Sequence, residues 1–185
     1  MLNRNSVITA LLISATLFAA SELRARDPFT LEAVRAQVVR DYGGVAQLST
    51  QTFVAQLARR SDVLLLDVRE EDEFAVSRLA GAVRVDPDIW RRTFMSKFGE
   101  RVRGKTVIFY CSVGVRSSRL AERVQTALKE QGAKAVYNLD GGIFAWHNER
   151  RPLVNAEGET DFVHPFDSHW GQLVKRSEMT RTSPQ

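Results

Sequence analysis

The sequence predicts an α/β domain built around a mostly parallel sheet. Three observations carry that prediction. Residues 63–68 (VLLLDV) and Thr106–Tyr110 (TVIFY) are short continuous apolar runs, the pattern of strands covered on both faces. Segments with apolar residues at helical spacing alternate with such runs, as crossover helices between parallel strands require. The length, 185 residues, suits one domain with short extensions.

The elements follow in order. Residues 1–4 form a short basic start, and residues 7–20 (VITALLISATLFAA) run without a charge. Small residues at Ala19, Ala20 and Ser21 precede a polar stretch. This is the layout of a secretory signal peptide. The apolar run has fourteen residues, short of the ~20 that a membrane span needs. Residues 1–21 are therefore expected to be a signal peptide cleaved near Ser21, which leaves a periplasmic or secreted protein with no stable membrane span. No cysteine follows the apolar run, which argues against a lipid-anchored lipoprotein.

Residues 30–42 predict a helix with Leu31, Val34 and Val38 on one face, ended by Gly43-Gly44. Residues 45–48 predict a short strand. Ser49 or Thr50 can cap a helix to Arg59 with Phe53, Val54 and Leu57 inward. After the strand at 63–68 comes a charged helical turn at 69–77, then a short strand at 81–85 (GAVRV). Trp90, Phe94 and Phe98 recur at fourfold spacing and predict a helix face. TVIFY leads directly into CSVGVR, after which Ser117 or Ser118 is expected to open a helix to Lys129. Residues 135–139 predict the last strand, Asp140-Gly141-Gly142 a turn, and residues 143–148 a short helix. Beyond Arg150 the periodicity fades; residues 163–174 are aromatic-rich, and residues 175–185 read as a disordered end.

Composition excludes several functions. The 26 basic and 22 acidic residues are interspersed, and no Lys/Arg run exceeds two, so no nucleic-acid partner is expected. A single cysteine rules out an intramolecular disulfide and a multi-cysteine zinc site. His147, His164 and His169 match no compact metal motif, so no metal and no cofactor are expected.

That single cysteine, Cys111, stands at a strand–loop–helix junction. A helix N-terminus supplies unpaired N–H groups and partial positive charge. Gly114 lets the loop turn its amides inward into an anion-binding nest, and Arg116 adds a full charge. All three favour thiolate over thiol and an anionic substrate beside it. Ligands of such sheets bind at the carboxyl ends of strands.

LLLDVREEDEF at 64–74, GAVRV at 81–85, YCSVGVRSSRLAE at 110–122 and NLDGGIFAW at 138–146 together resemble single-domain rhodanese sulfurtransferases. The resemblance spans about residues 45–154, leaving residues 22–44 as an N-terminal helical extension and residues 155–185 as a C-terminal one. It implies a three-layer α/β/α domain with a central five-stranded, mostly parallel sheet. It implies Cys111 as a nucleophile that carries a persulfide, and Ser112, Val113, Gly114, Val115 and Arg116 as the substrate-binding loop. The donor implied is thiosulfate or a similar small anion. The acceptor is cyanide, a thiol or an acceptor protein. The alternative is a sulfur-carrier or interaction module with little turnover. Phosphatases of related fold use Cys-x5-Arg, whereas here the spacing is Cys-x4-Arg, which speaks against phosphatase or arsenate reductase chemistry. Arg78-Leu79-Ala80-Gly81 departs from the family's His-Ile-Pro-Gly-like stretch.

Other residues have plainer readings. Asp67 is expected to cap the next turn and Arg69 to pair with a carboxylate such as Glu73, unless the two lie at the rim of the site. Trp146 is core or a lid. Phe166 and Trp170 are expected to dock on the domain, beside the site entrance; a partner-binding strap is the alternative.

Overall fold

The computed structural model describes residues 29–57 and 60–184. The expected signal peptide lies outside these residues, as does the end of the helix expected to reach Arg59. Among the described residues no helix is long and apolar enough to cross a membrane.

Helix α1 (Leu31–Asp41) is capped by the Thr30 hydroxyl, which accepts from the Ala33 N–H at 3.1 Å, and it buries Leu31, Val34 and Val38 as expected. Strand β1 is only Gln47–Leu48. Helix α2 (Thr50–Thr52) is capped by Ser49 and passes into a π-helical turn, Phe53–Leu57. That turn widens the helix, so the 3.6-residue spacing fails there. Phe53 is buried, but Val54, expected inward, is 40% exposed.

Strand β2 (Val63–Asp67), helix α3 (Glu71–Val76) and strand β3 (Val83–Arg84) follow. Helix α4 (Arg91–Phe98) buries Phe94 and Phe98. Trp90, expected on the same face, is 80% exposed. It is the N-cap residue, with extended backbone, so the helical spacing does not apply to it. A 3₁₀ turn (Glu100–Val102) leads to β4 (Thr106–Tyr110), α5 (Val115–Glu130), β5 (Ala135–Leu139) and α6 (Gly142–Asn148). Helix α5 starts two residues before Ser117. Gly114, with φ +103°, serves as its cap, and Ser117 and Ser118 are buried on its inner face.

The five strands form one parallel sheet in the order β1-β5-β4-β2-β3. Strand β4 is central and fully buried; Leu65 registers with Ile108 and Asp67 with Tyr110. Its alternate side chains face two cores. Ile108 and Tyr110 pack with Leu31, Val38, Ile143 and Trp146 from α1 and α6. Val107 and Phe109 pack with Phe94, Leu120, Val124 and Leu128 from α4 and α5. The architecture is thus the predicted α/β/α sandwich, and Trp146 is core, its indole N–H donating to the Pro152 carbonyl at 2.8 Å.

The C-terminal segment departs from expectation, because structure continues to Thr180 within the stretch expected to be disordered. Strands β6 (Leu153–Val154) and β7 (Glu159–Thr160) form a hairpin, and 3₁₀ turns follow at Trp170–Leu173 and Ser177–Met179. Val163, Leu173 and Val174 are buried in the α1/α6 core. The Val163 N–H donates to the Met179 carbonyl at 3.0 Å, and Arg181 returns a bond to Val163 at 3.1 Å. Side-chain burial and these backbone bonds fasten residues that helical periodicity could not register.

Candidate active site

Cys111 follows the last residue of β4 and is 1% exposed. The Gly114 N–H donates to its Sγ at 3.2 Å. This is the amide-to-sulfur contact that a loop folding back on the cysteine produces, and the first turn of α5 lies directly behind it. Unpaired N–H groups there favour a negative charge on the sulfur.

The loop is also held from the other side. Ile143 and Phe144, in the first turn of α6, donate to the carbonyls of Cys111 and Ser112 at 2.9 and 3.0 Å. That approach requires Gly142: its φ is +58°, and a Cβ there would meet the Cys111 carbonyl oxygen at 2.2 Å. The Asp140-Gly141-Gly142 turn therefore seats the cysteine loop, and Asp140 is tied down by an ion pair with Arg35.

Arg116 does not point freely at the sulfur. Its Nη1 and Nη2 donate to the two carboxylate oxygens of Glu73 at 2.7 and 2.8 Å. The Ser112 hydroxyl donates to Glu73 at 2.7 Å and accepts from Arg116 at 3.0 Å. Burial works against the charged Arg116, but the Glu73 bond and the neighbouring Cys111 together raise its pKa above the ordinary value. Burial likewise opposes the Glu73 carboxylate, yet Arg116 and then Arg69 and Ser112 hold its pKa below the usual range. Glu73 is the site residue that sequence reasoning missed. Its one signal is placement: it shares the inward face of α3 with Val76, an odd place for a carboxylate unless it has a partner.

Arg69 therefore pairs elsewhere. Its guanidinium grips Asp67 at 2.6 and 2.8 Å and donates to the Ser77 and Glu73 backbone carbonyls at 2.6 and 3.3 Å. Both side chains are fully buried. The expected Arg69–Glu73 carboxylate pair does not form, and Asp67 closes an ion pair instead of capping the turn. Asp67 and Arg69 are framework behind the loop, not its rim.

Above Cys111 lies a cavity of about 110 Å³ lined by Cys111, Ser112, Val113, Val115, Arg116, Phe166 and Trp170. The C-terminal segment thus does bring Phe166 and Trp170 to the entrance. The Arg116 guanidinium lies 4.6 Å from the Phe166 ring centroid, within cation–π range. Phe166 has φ +68°, a left-handed conformation that costs a phenylalanine about 1–3 kcal/mol and that the ring contact helps offset. Trp170 is braced edge-on by Phe29, which also stacks on His169 at 4.1 Å.

No cluster of metal-ligating side chains occurs among the described residues. His147 is buried and its Nε2–H donates to the Asp161 carbonyl at 2.9 Å. Burial pushes its pKa down, which fits a neutral structural histidine.

The Rhodanese-like domain family profile matches residues 50–149. A sulfurtransferase of Allochromatium vinosum is 30% identical over 114 residues, covering 62% of this chain and 99% of that protein. A tRNA uridine(34) hydroxylase of Cytophaga hutchinsonii is 38% identical over 93 residues; the match covers 49% of this chain but only 28% of the hydroxylase. The polysulfide-sulfur transferase homodimer of Wolinella succinogenes shares the fold, with a TM-score of 0.50 at 23% identity over 67% of this chain and 88% of that one.

Proposed function

Because the chain belongs to the Rhodanese-like domain family, we propose that it is an exported sulfurtransferase that works through a persulfide on Cys111. The observation that carries this reading is the Gly114 N–H bonded to Cys111 Sγ at 3.2 Å, beside an open cavity. An anion on that sulfur is met by an amide that need not reorganise when it forms.

The reaction is two displacements. The Cys111 thiolate attacks the outer sulfane sulfur of a donor. The donor's S–S bond breaks, and the remainder leaves with the electron pair. The enzyme then holds Cys–S–S⁻. A thiolate, cyanide or an acceptor protein's cysteine attacks the terminal sulfur, and the Cys111 thiolate is restored. Each step is a displacement by an anionic nucleophile, so neither is routed through a general base. Ser112 and Arg116, locked to Glu73, hold the loop in shape; Val113 and Val115 form its wall. An arginine engaged in this way is not free to wrap a phosphate, which supports sulfur over phosphoryl chemistry.

The test is intact-mass analysis after donor treatment. The wild type gains one sulfur atom and loses it to a thiol, and Cys111→Ser gains none. A wild-type protein that never gains sulfur is a binding module instead. Export is tested by the mass of protein recovered from its own cells: a chain starting just after Ser21 supports it, and an intact Met1 opposes it.

A further inference from the structure

Of the described residues that line the cavity above Cys111, Arg116 alone carries charge. That charge is already matched. Both Nη atoms are bonded to Glu73, and the Phe166 ring covers the guanidinium face. The Ser112 hydroxyl, the other polar side chain at the cavity, is committed to the same carboxylate. What faces a ligand is Val113, Val115, Phe166 and Trp170, together with the Gly114 N–H at the sulfur. That amide, at the N-terminus of α5, suits one anionic sulfur. The apolar walls offer no partner for a second charge or for a set of oxyanion oxygens, and burying such groups unpaired is costly.

The ground beside the site is no more welcoming to anions. The Glu70 carboxyl is exposed, and its pKa is raised by partial burial and by the carboxylates of Glu73, Asp86 and Asp88, with Arg116 pulling the other way. Asp86 and Asp88 are exposed too. Arg119 answers Asp88 at 3.6 Å, and Arg84 answers Glu71 at 3.9 Å, so the surroundings are mixed and not a cationic funnel.

We infer that the sulfur donor at Cys111 is an organic hydropersulfide, RS–SH, with a small uncharged arm R that Phe166 and Trp170 select; this rests on the sulfur-transfer reading above. The Cys111 thiolate attacks the terminal sulfur, and the RS–S bond breaks. The leaving sulfur takes the electron pair and the proton that the terminal sulfur carried. The products are Cys–S–S⁻ and RSH, with no oxidant or reductant required. A thiosulfate dianion presents the same sulfane sulfur on a group whose charge and oxygens the cavity does not answer.

Single-turnover sulfur loading of the full chain, read by intact mass, tests the inference. The donors are ethyl hydropersulfide, its 2-sulfonatoethyl analogue and thiosulfate. The first two share the same S–S chemistry and differ in arm charge. The wild type is expected to load from the ethyl donor about tenfold faster than from the sulfonate, and faster than from thiosulfate. Phe166→Ala, at an exposed position, and Trp170→Ala, at a half-buried one, are expected to bring the two hydropersulfide rates together. A sulfonate or thiosulfate rate equal to or above the ethyl rate overturns the inference. Unchanged discrimination in both variants overturns the selecting role of the strap. No loading from any donor overturns the sulfur-transfer reading itself.

Discussion

Arg116 stands beside the cysteine loop, but its strong partner is Glu73, not the sulfur. The Glu73 side chain is 1% exposed and that of Arg116 is 17% exposed, so removing one partner strands the other's charge. Glu73→Gln is expected to cost about 3 kcal/mol of stability, measured by urea unfolding. A loss under about 1 kcal/mol would mean that water reaches and screens the pair. The pH dependence follows from the same contact. The Glu73 pKa is lowered in the fold, so its contribution is complete above the ordinary value of 4.5 and is lost as pH falls through the folded value. Cys111, Gly114 and Arg116 were readable because they are neighbours in one loop. Glu73 was not, because it stands 43 residues from Arg116 and only folding shows which cation it meets.

Strand β4, its loop and helix α5 form the unit that carries the site, and α6 closes it. The carbonyls of Cys111 and Ser112 accept from α6 only because Gly142 lets the chains approach. Gly142→Ala is expected to lower the melting temperature by several degrees, at a cost of at least about 2 kcal/mol, and to slow sulfur loading. An unchanged melting temperature would show that the loop does not need this seat. The long apolar strands were plain in the sequence because continuous burial leaves a continuous signal. The misplaced elements share one cause, a spacing rule carried across a local change of backbone. Trp90 precedes the first turn of α4, Val54 lies in a π-helical turn, and Gly114 caps α5 before the two serines.

Across the whole molecule, the C-terminal segment joins the distant core to the site. Val163, Leu173 and Val174 anchor it, and Phe166 and Trp170 reach the cavity over Cys111. Amide hydrogen exchange should therefore protect Val163 and Val174, whose N–H groups are bonded at 3.0 and 3.1 Å. Exchange there as fast as in an unfolded chain would mean the strap is detached in solution. His147 couples the same region to pH. Its pKa is lowered by burial, so the neutral form's contribution is full above about 6.5 and declines as pH falls below it. Stability should first fall with acidification in that range, before Glu73 adds its loss. His147→Gln, which cannot acquire the charge, should remove the first phase; a phase that persists would assign it to another group. The aromatic run at 163–174 announced a docked segment, but its path over the sheet depends on long-range contacts that no periodicity encodes.

The proposed chemistry turns on a sulfur atom carried on Cys111. Intact mass of the full chain, taken after ethyl hydropersulfide treatment and removal of excess donor, tests it most directly. One added sulfur is expected in the wild type, released by an added thiol, and none in Cys111→Ser. No added sulfur in the wild type, or equal gain in Cys111→Ser, would contradict it.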